Sequence, residues 1–546
     1  MVTLNVAENP MTTHGMVTSP HALASEAGLW ILRKGGNAIE AAIAMATTLA
    51  VVYPHMCTLG GDAFWLIYHA KKKKLLGINA SGRAGENVTI EGYKRSGFAS
   101  IPWKGYLAAN TVPGMVSGLE KAYIVSRDEL SGSCSWASLL ESAESYAQDG
   151  FPQSVSYARH CAMLMQRHGN KPDKYKLYPE FARVFLQEPR FGQVFRQEDL
   201  ARTFRLLATH GAREFYEGSI ATAICNDMAR NGGVLTLNDF AAHHADFVEP
   251  MHVPYRDTEA YNLPPNSQGM ASLQILNILN SFSISSPKSP EEEASYIDLI
   301  VKATKEAFYD RDRFLTDPDY ATIPFDQLFS ENALQKQHAR IAEGSVRETT
   351  QAFDPAGDTV WLGVIDQFGN AVSYIQSIYY DFGSEIVPKG TGILLQNRGS
   401  FFSLDPTHPN ALAPRKRTFH TLNPAMLIKN GKPFLIYGTM GGEGQPQTQA
   451  ALVTRIVDFG LSPMEAIAKP RWLYGSAFGE RSNSIKIEKR FGARVGSLLE
   501  EHGYPVHFVD AFHEMMGHAG AILVHQDNGV MQGGTDPRSD GLATGF

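Results

Sequence analysis

"GDTVWLGVIDQFGNAVSYIQS", residues 357 to 377, reads as an apolar strand, a tight turn and a second apolar strand. Val360, Trp361, Val364 and Ile365 are β-branched or aromatic and favour an extended chain. Asp366 to Asn370, "DQFGN", carries the Gly and Asn that a hairpin turn uses. Apolar residues follow one another instead of alternating, so the sheet that receives the hairpin is predicted to be covered on both faces. Thr359, preceded by Asp358, opens the hairpin. Taken alone, a threonine there is ordinary strand composition.

Upstream, the stretch from His21 to Tyr53 spaces its apolar residues three and four apart and breaks at Gly35-Gly36. Its second half is apolar nearly all round, the pattern of a helix held between layers. "LGGDAFWLIYHAKKKKLLGINASGRA" is a second hairpin, with Lys71 to Lys74 as its solvated turn. Residues 135 to 340 read as mostly helical, with polar loops such as "SSPKSPEEEAS". Downstream the chain turns β-rich again in "NPAMLIKNGKPFLIYGTM" and "AGAILVHQDNGVMQGG", with "KNGKP" as a turn. No repeat of solenoid period is visible.

The 546 residues are 43% hydrophobic and 19% charged, an ordinary globular balance. A formal charge of -7, with no basic cluster interleaved with aromatics, argues against a nucleic-acid partner. Cys57, Cys134, Cys161 and Cys225 are too scattered for a disulfide framework or a CxxC metal pair and read as buried free thiols. "MVTLNVAENPMTTHG" has no apolar signal region, and the longest apolar stretch, "AAIAMATTLAVVY", is too short to span a bilayer. The expectation is a soluble, cytoplasmic protein without a membrane partner.

There is no G-x-S-x-G elbow, P-loop or HExxH. "HEMMGH" spaces His513 and His518 by five, off a single helical face, which argues against a zinc site. "YGTMGGEGQPQTQAALVTRIVDF" puts a glycine-rich turn between a strand and a helix, where backbone N–H groups can hold an anion.

Eight stretches, taken together and in order, resemble the γ-glutamyltranspeptidase family of N-terminal-nucleophile hydrolases. They are "GMVTSPHALASEAGLWILRKGGNAIEAAIA" (15 to 44), "LGGDAFWLI" (59 to 67), "TVPGMVSGLEKA" (111 to 122), "DTVWLGVIDQFGNAVS" (358 to 373), "GTGILLQNRG" (390 to 399), "NALAPRKRTFHTLNPAML" (410 to 427), "GTMGGEGQPQTQ" (438 to 449) and "GGTDPRSDGLATGF" (533 to 546).

The resemblance implies an α+β fold, the four-layer α/β/β/α sandwich of that class, built jointly by two fragments of one precursor. Self-cleavage between Asp358 and Thr359 would give a large fragment, 1 to 358, and a small one, 359 to 546, that stay associated as one structural unit. Thr359 is then nucleophile and, through its freed α-amino group, its own base. Gly441 and Gly442 supply oxyanion N–H groups, and Ser377 matches a hydroxyl that supports the nucleophile. No cofactor or metal is implied. The expected activity is transfer of a small acidic acyl group, γ-glutamyl or glutathione-like, from an amide to water or an amine. An amidohydrolase for an acid amide without an α-amino group, of oxamate or glutaryl type, is the first alternative. An uncleaved, inactive binding protein is the second. A homodimer is left open.

The substrate-binding positions depart from the family. Its arginine after the first hairpin moves two places, making Arg83 the candidate, and its Ser-Ser pair becomes His420-Thr421. A family asparagine aligns with Tyr379 and a glutamine with Arg398, while Phe401 stands where the family binds an α-ammonium with a carboxylate. The pattern resembles the outlying branch of oxamate amidohydrolases and cephalosporin acylase-like enzymes. Arg398 brings a fork suited to a carboxylate.

Overall fold

The computed structural model of the protein describes residues 9–169, 178–186, 190–348, 358–475 and 483–546. Among the described residues, the two large sheets have seven strands each and are antiparallel throughout. The first runs, in spatial order, Leu542–Gly545, Met16–Ser19, Asp358–Ile365, Ala371–Tyr379, Asp62–His69, Lys74–Ala80 and Asp246–Val248. The second runs Met11–Thr12, Met531–Thr535, Ala519–Val524, Lys432–Thr439, Ala425–Lys429, Thr258–Asn262 and Met251–Tyr255. Each sheet therefore takes strands from both sides of Asp358.

The predicted hairpin lies at the centre of the first sheet, and its turn ties strand to helix. Asp366 Oδ1 accepts from Phe368 N and Asn370 N, both at 2.9 Å, while Oδ2 accepts from Ala38 N at 2.9 Å, the first residue of the helix Ala38–Val52. That helix begins in a capping box between Asn37 and Glu40, and all its residues are buried. The helix before it, Ala22–Arg33, stops short of Gly35, whose φ of +88° ends it where the sequence predicts the break.

Strand periodicity assigns the faces. Val360, Leu362, Val364, Val372 and Tyr374 pack with Leu49 and other residues of the helix Ala38–Val52. Trp361, Ile365 and Ile375 point the other way, into a core shared with Met426, Ile436 and Ile522 of the second sheet. The far side of the second sheet packs on the helices Gly269–Asn280, Pro290–Phe314 and Gln445–Val453. Trp361 marks the close approach of the two sheets: a Cβ on Gly438 would lie 2.2 Å from its ring and one on Gly520 2.5 Å. Thr359, two residues before Trp361, belongs to this inter-sheet face.

Lys71 to Lys74 are exposed, as predicted for a turn. Cys57, Cys161 and Cys225 are buried free thiols, but Cys134 is only partly buried, because it sits in the loop before the helix Trp136–Asp149. Among the described residues, no helix is long and apolar enough to cross a membrane.

Candidate active site

Thr359 is the second residue of the strand Asp358–Ile365, 1% exposed. The register against Ala371–Tyr379 shifts between Asp358 and Val360, so Thr359 lies opposite the Ser377–Ile378 pair at an irregularity of the ladder. Its Oγ1 is buried, and no described residue hydrogen-bonds to it. A buried hydroxyl ordinarily finds a partner.

At the end of the strand Lys432–Thr439, Met440 N donates to His518 O at 3.0 Å and the chain then turns through two glycines. Gly441 has φ +126° and Gly442 φ +52°, conformations that a side chain would strain. Among the described residues, no backbone carbonyl accepts from either N–H. The turn enters the helix Gln445–Val453, so two backbone donors sit at its approach.

Arg398 is fully buried. Its Nη2 donates to Ser377 Oγ at 3.0 Å and its Nη1 to Thr421 Oγ1 at 3.2 Å, while Nε meets no described acceptor. The guanidinium carbon lies 4.5 Å from the Tyr379 ring centre and 5.6 Å from that of Phe401. These two rings are 4.3 Å apart and belong to an apolar cluster with Leu315 and Phe419. Burial pulls the Arg398 pKa down to about 10, with Asp62 and Tyr379 opposing, so it stays charged at neutral pH. Among the described residues, no carboxylate pairs with it at salt-bridge distance.

The structure thus brings Ser377, Tyr379, Arg398 and Thr421 together. His420 is placed differently. Its Nε2 lies 3.2 Å from Asp62 Oδ2, and Nδ1 accepts from Leu422 N at 3.3 Å, which makes the ring a neutral Nε2–H donor. Burial and then the Arg398 charge take its pKa down to about 3. Burial pushes Asp62 upward, but the hydrogen bond from His420, the Arg398 charge and the hydrogen bond from Gln396 leave it below the usual carboxylate range. Arg83 is also placed elsewhere. Its guanidinium is met by Asp317 at 3.2 Å, Asp319 at 2.8 Å and the Arg415 carbonyl at 3.1 Å, so its charge is already answered. His513 accepts from Met515 N, and among the described residues no group of three or more His, Cys, Asp or Glu is arranged to hold a metal.

Sequence reading missed two residues of the frame. Asp62 Oδ1 accepts from Gly82 N, Gly114 N and Gln396 Nε2 at 2.9 to 3.1 Å, and it fixes His420. Its only signal was its place in "LGGDAFWLI". Gln268, in "PPNSQGM", is fully buried between Thr421 and Gly442. An uncharged polar residue after a Pro-rich turn gives no local sign of such a role.

The buried histidines predict how stability depends on pH. Burial lowers His21 to about 4, and His243 and His420 to about 3, against about 6.5 in an unfolded chain. Below that value the unfolded chain binds protons that the folded one refuses. The stability is therefore complete above about pH 6.5 and is lost as pH falls. Between about pH 6.5 and pH 5 each such histidine removes about 2 kcal/mol. Urea unfolding midpoints should drop between about pH 7.5 and pH 5. A flat midpoint would mean that these rings are protonated in the fold.

A profile described as Gamma-glutamyltranspeptidase matches residues 24–546. The chain is 44% identical over 540 residues to the Glutathione hydrolase-like YwrD proenzyme of Bacillus subtilis, covering 98% of this chain and 99% of that one. It is 44% identical over 539 residues to the Oxamate amidohydrolase proenzyme of Klebsiella pneumoniae, with the same coverage. The crystal structure of a cephalosporin acylase from Bacillus halodurans superposes with a TM-score of 0.89 at 34% identity, covering 99% of this chain and 97% of that one. The mixed α/β fold with antiparallel sheets is that of the N-terminal-nucleophile hydrolases, and the chain belongs to the gamma-glutamyltranspeptidase family. Within that family it is an amidohydrolase-type enzyme of the outlying branch, similar to YwrD, oxamate amidohydrolase and cephalosporin acylase-like proteins.

Proposed function

We propose that the protein is a self-processing threonine amidohydrolase that acts on the amide of a small acid lacking an α-amino group. The single observation that carries this reading is Arg398: a buried guanidinium beside Ser377, without a carboxylate partner among the described residues, walled by Tyr379 and Phe401. A carboxylate satisfies such a group through paired charge-assisted hydrogen bonds. An α-ammonium brought to the same place meets a like charge and an aromatic ring where a carboxylate would be needed. The similarity to an oxamate amidohydrolase points the same way.

In maturation, Thr359 Oγ attacks the Asp358 carbonyl, the C–N bond breaks and its nitrogen takes the hydroxyl proton. Water then hydrolyses the Asp358 ester, leaving a carboxylate and a free Thr359 amine. The fragments 1 to 358 and 359 to 546 remain together because each sheet needs strands from both, the arrangement we read as a four-layer α/β/β/α sandwich. With an ordinary pKa of about 7.7 to 8.0, the new α-amine can take the Oγ proton at neutral pH. The hydroxyl adds to the substrate carbonyl, and the oxyanion draws on the N–H groups of Gly441 and Gly442, each worth about 3 kcal/mol in the transition state. The amine or ammonia leaves with the proton, and water releases the acid from Thr359. His420 and Arg83 support the frame in this reading, the first through Asp62 and the second through Asp317. The free cysteines favour a reducing, cytoplasmic setting.

The test is a substrate panel on the processed protein: oxamate, glutaryl anilide and γ-glutamyl anilide. The α-amino compound should be the poorest, by about 10²-fold in kcat/KM against the best acid without an amine. Preference for the γ-glutamyl amide would overturn the reading.

A further inference from the structure

One hydrogen-bonded path leads from the buried cation to the glycine turn. Arg398 holds Ser377 Oγ with Nη2 and Thr421 Oγ1 with Nη1. The Thr421 carbonyl accepts from Gln268 Nε2 at 2.8 Å, and the same nitrogen donates to the Gly442 carbonyl at 2.9 Å. A primary amide has two N–H donors, so both are spent, one on each segment. Gln268 N also donates to His420 O at 2.8 Å, and its Oε1 accepts from Arg311 Nη1 at 3.4 Å. Arg311 reaches on to Glu443 Oε2 at 2.7 Å. Gln268 and Arg311 together therefore grip residues 442 and 443; Gln268, Arg311, Thr421 and Gly442 are buried and Glu443 is partly so.

We infer that Gln268 is a positioning residue that couples occupancy of Arg398 by a carboxylate to the seating of the Gly441–Gly442 turn. A carboxylate drawing on the guanidinium competes with Thr421 Oγ1 for its N–H groups. Thr421 is the residue whose carbonyl shares a nitrogen with Gly442, so any shift of the first is passed to the second. A substrate with an acid group then finds the oxyanion donors in register, and a neutral amide of the same shape does not. This inference rests on the acid-amide reading above and extends it from binding to turnover.

The test compares oxamate with oxamide, its neutral counterpart, by ammonia release from wild type and from Gln268→Met, which keeps the side-chain length and removes both donors. Wild type should prefer oxamate, and Gln268→Met should lower kcat on oxamate by on the order of 10²-fold with KM for oxamate near wild type, while the rate on oxamide falls much less, so that the preference for the acid collapses. An equal loss on both substrates would reduce Gln268 to a structural role and overturn the coupling alone. A wild type indifferent to the acid group overturns the acid-amide reading and the coupling with it. If Gln268→Met fails to process itself, Thr421→Val breaks the path one link earlier and is judged by the same ratio.

Discussion

Thr359→Ala leaves a single 60 kDa chain with amidase activity down by on the order of 10⁴-fold or more. The size of the effect follows from one residue holding two roles. In a Ser–His pair the nucleophile and the base sit on different side chains. Here the base is the nitrogen that only cleavage at Thr359 can free, so removing the hydroxyl removes attack, maturation and base together. Thr359→Ser keeps a hydroxyl at the same backbone position and should still split, more slowly. Intact mass separates the cases: wild type gives fragments ending at Asp358 and beginning at Thr359, and the alanine variant gives none. Fragments from Thr359→Ala, or a wild type that stays whole yet turns over substrate, would remove Thr359 from the centre of the mechanism. The prediction stands on the family to which the chain belongs and on the buried Thr359 Oγ1, to which no described residue hydrogen-bonds.

The hairpin that presents Thr359 was legible because its causes are local. Strand propensity, the Asp366–Asn370 turn and the period of two lie within about twenty residues of one another. The same holds for the helix break at Gly35 and the glycine turn at 441–442. The frame of the site was not legible. Asp62 meets His420 across 358 positions, and Gln268 meets Thr421 across 153 and Gly442 across 174. No periodicity connects such residues, and each looks like ordinary polar composition in its own stretch. Arg83 shows the converse. A cation after a hairpin is easy to notice, but Asp317, which occupies it, lies 234 positions away. The sequence can nominate a charge, and only the fold says whether that charge is already spent.

That distinction makes Arg398→Met the sharper test of substrate. Burial, only partly opposed by Asp62 and Tyr379, has lowered the Arg398 pKa from 12.5 to about 10, a net cost of about 3 kcal/mol carried by the resting fold. With no carboxylate partner among the described residues to offset it, a thioether of similar length against Tyr379 and Phe401 should relieve that penalty, and the processed variant should melt at a higher temperature than wild type. Activity should move the opposite way. Losing a buried, charge-assisted pair with the substrate acid costs about 2 to 5 kcal/mol, so kcat/KM for oxamate should fall by about 30- to 5,000-fold. The rate on oxamide, which has no acid to bind, should hardly change. Ser377 and Thr421 each lose a donor in this variant, and Ser377 Oγ still accepts from Tyr379 N at 2.8 Å. A gain in stability with a selective loss of acid turnover is the signature of a residue kept for its ligand. If the melting temperature falls and both substrates suffer alike, Arg398 is a brace between Ser377 and Thr421, and the carboxylate must be bound elsewhere.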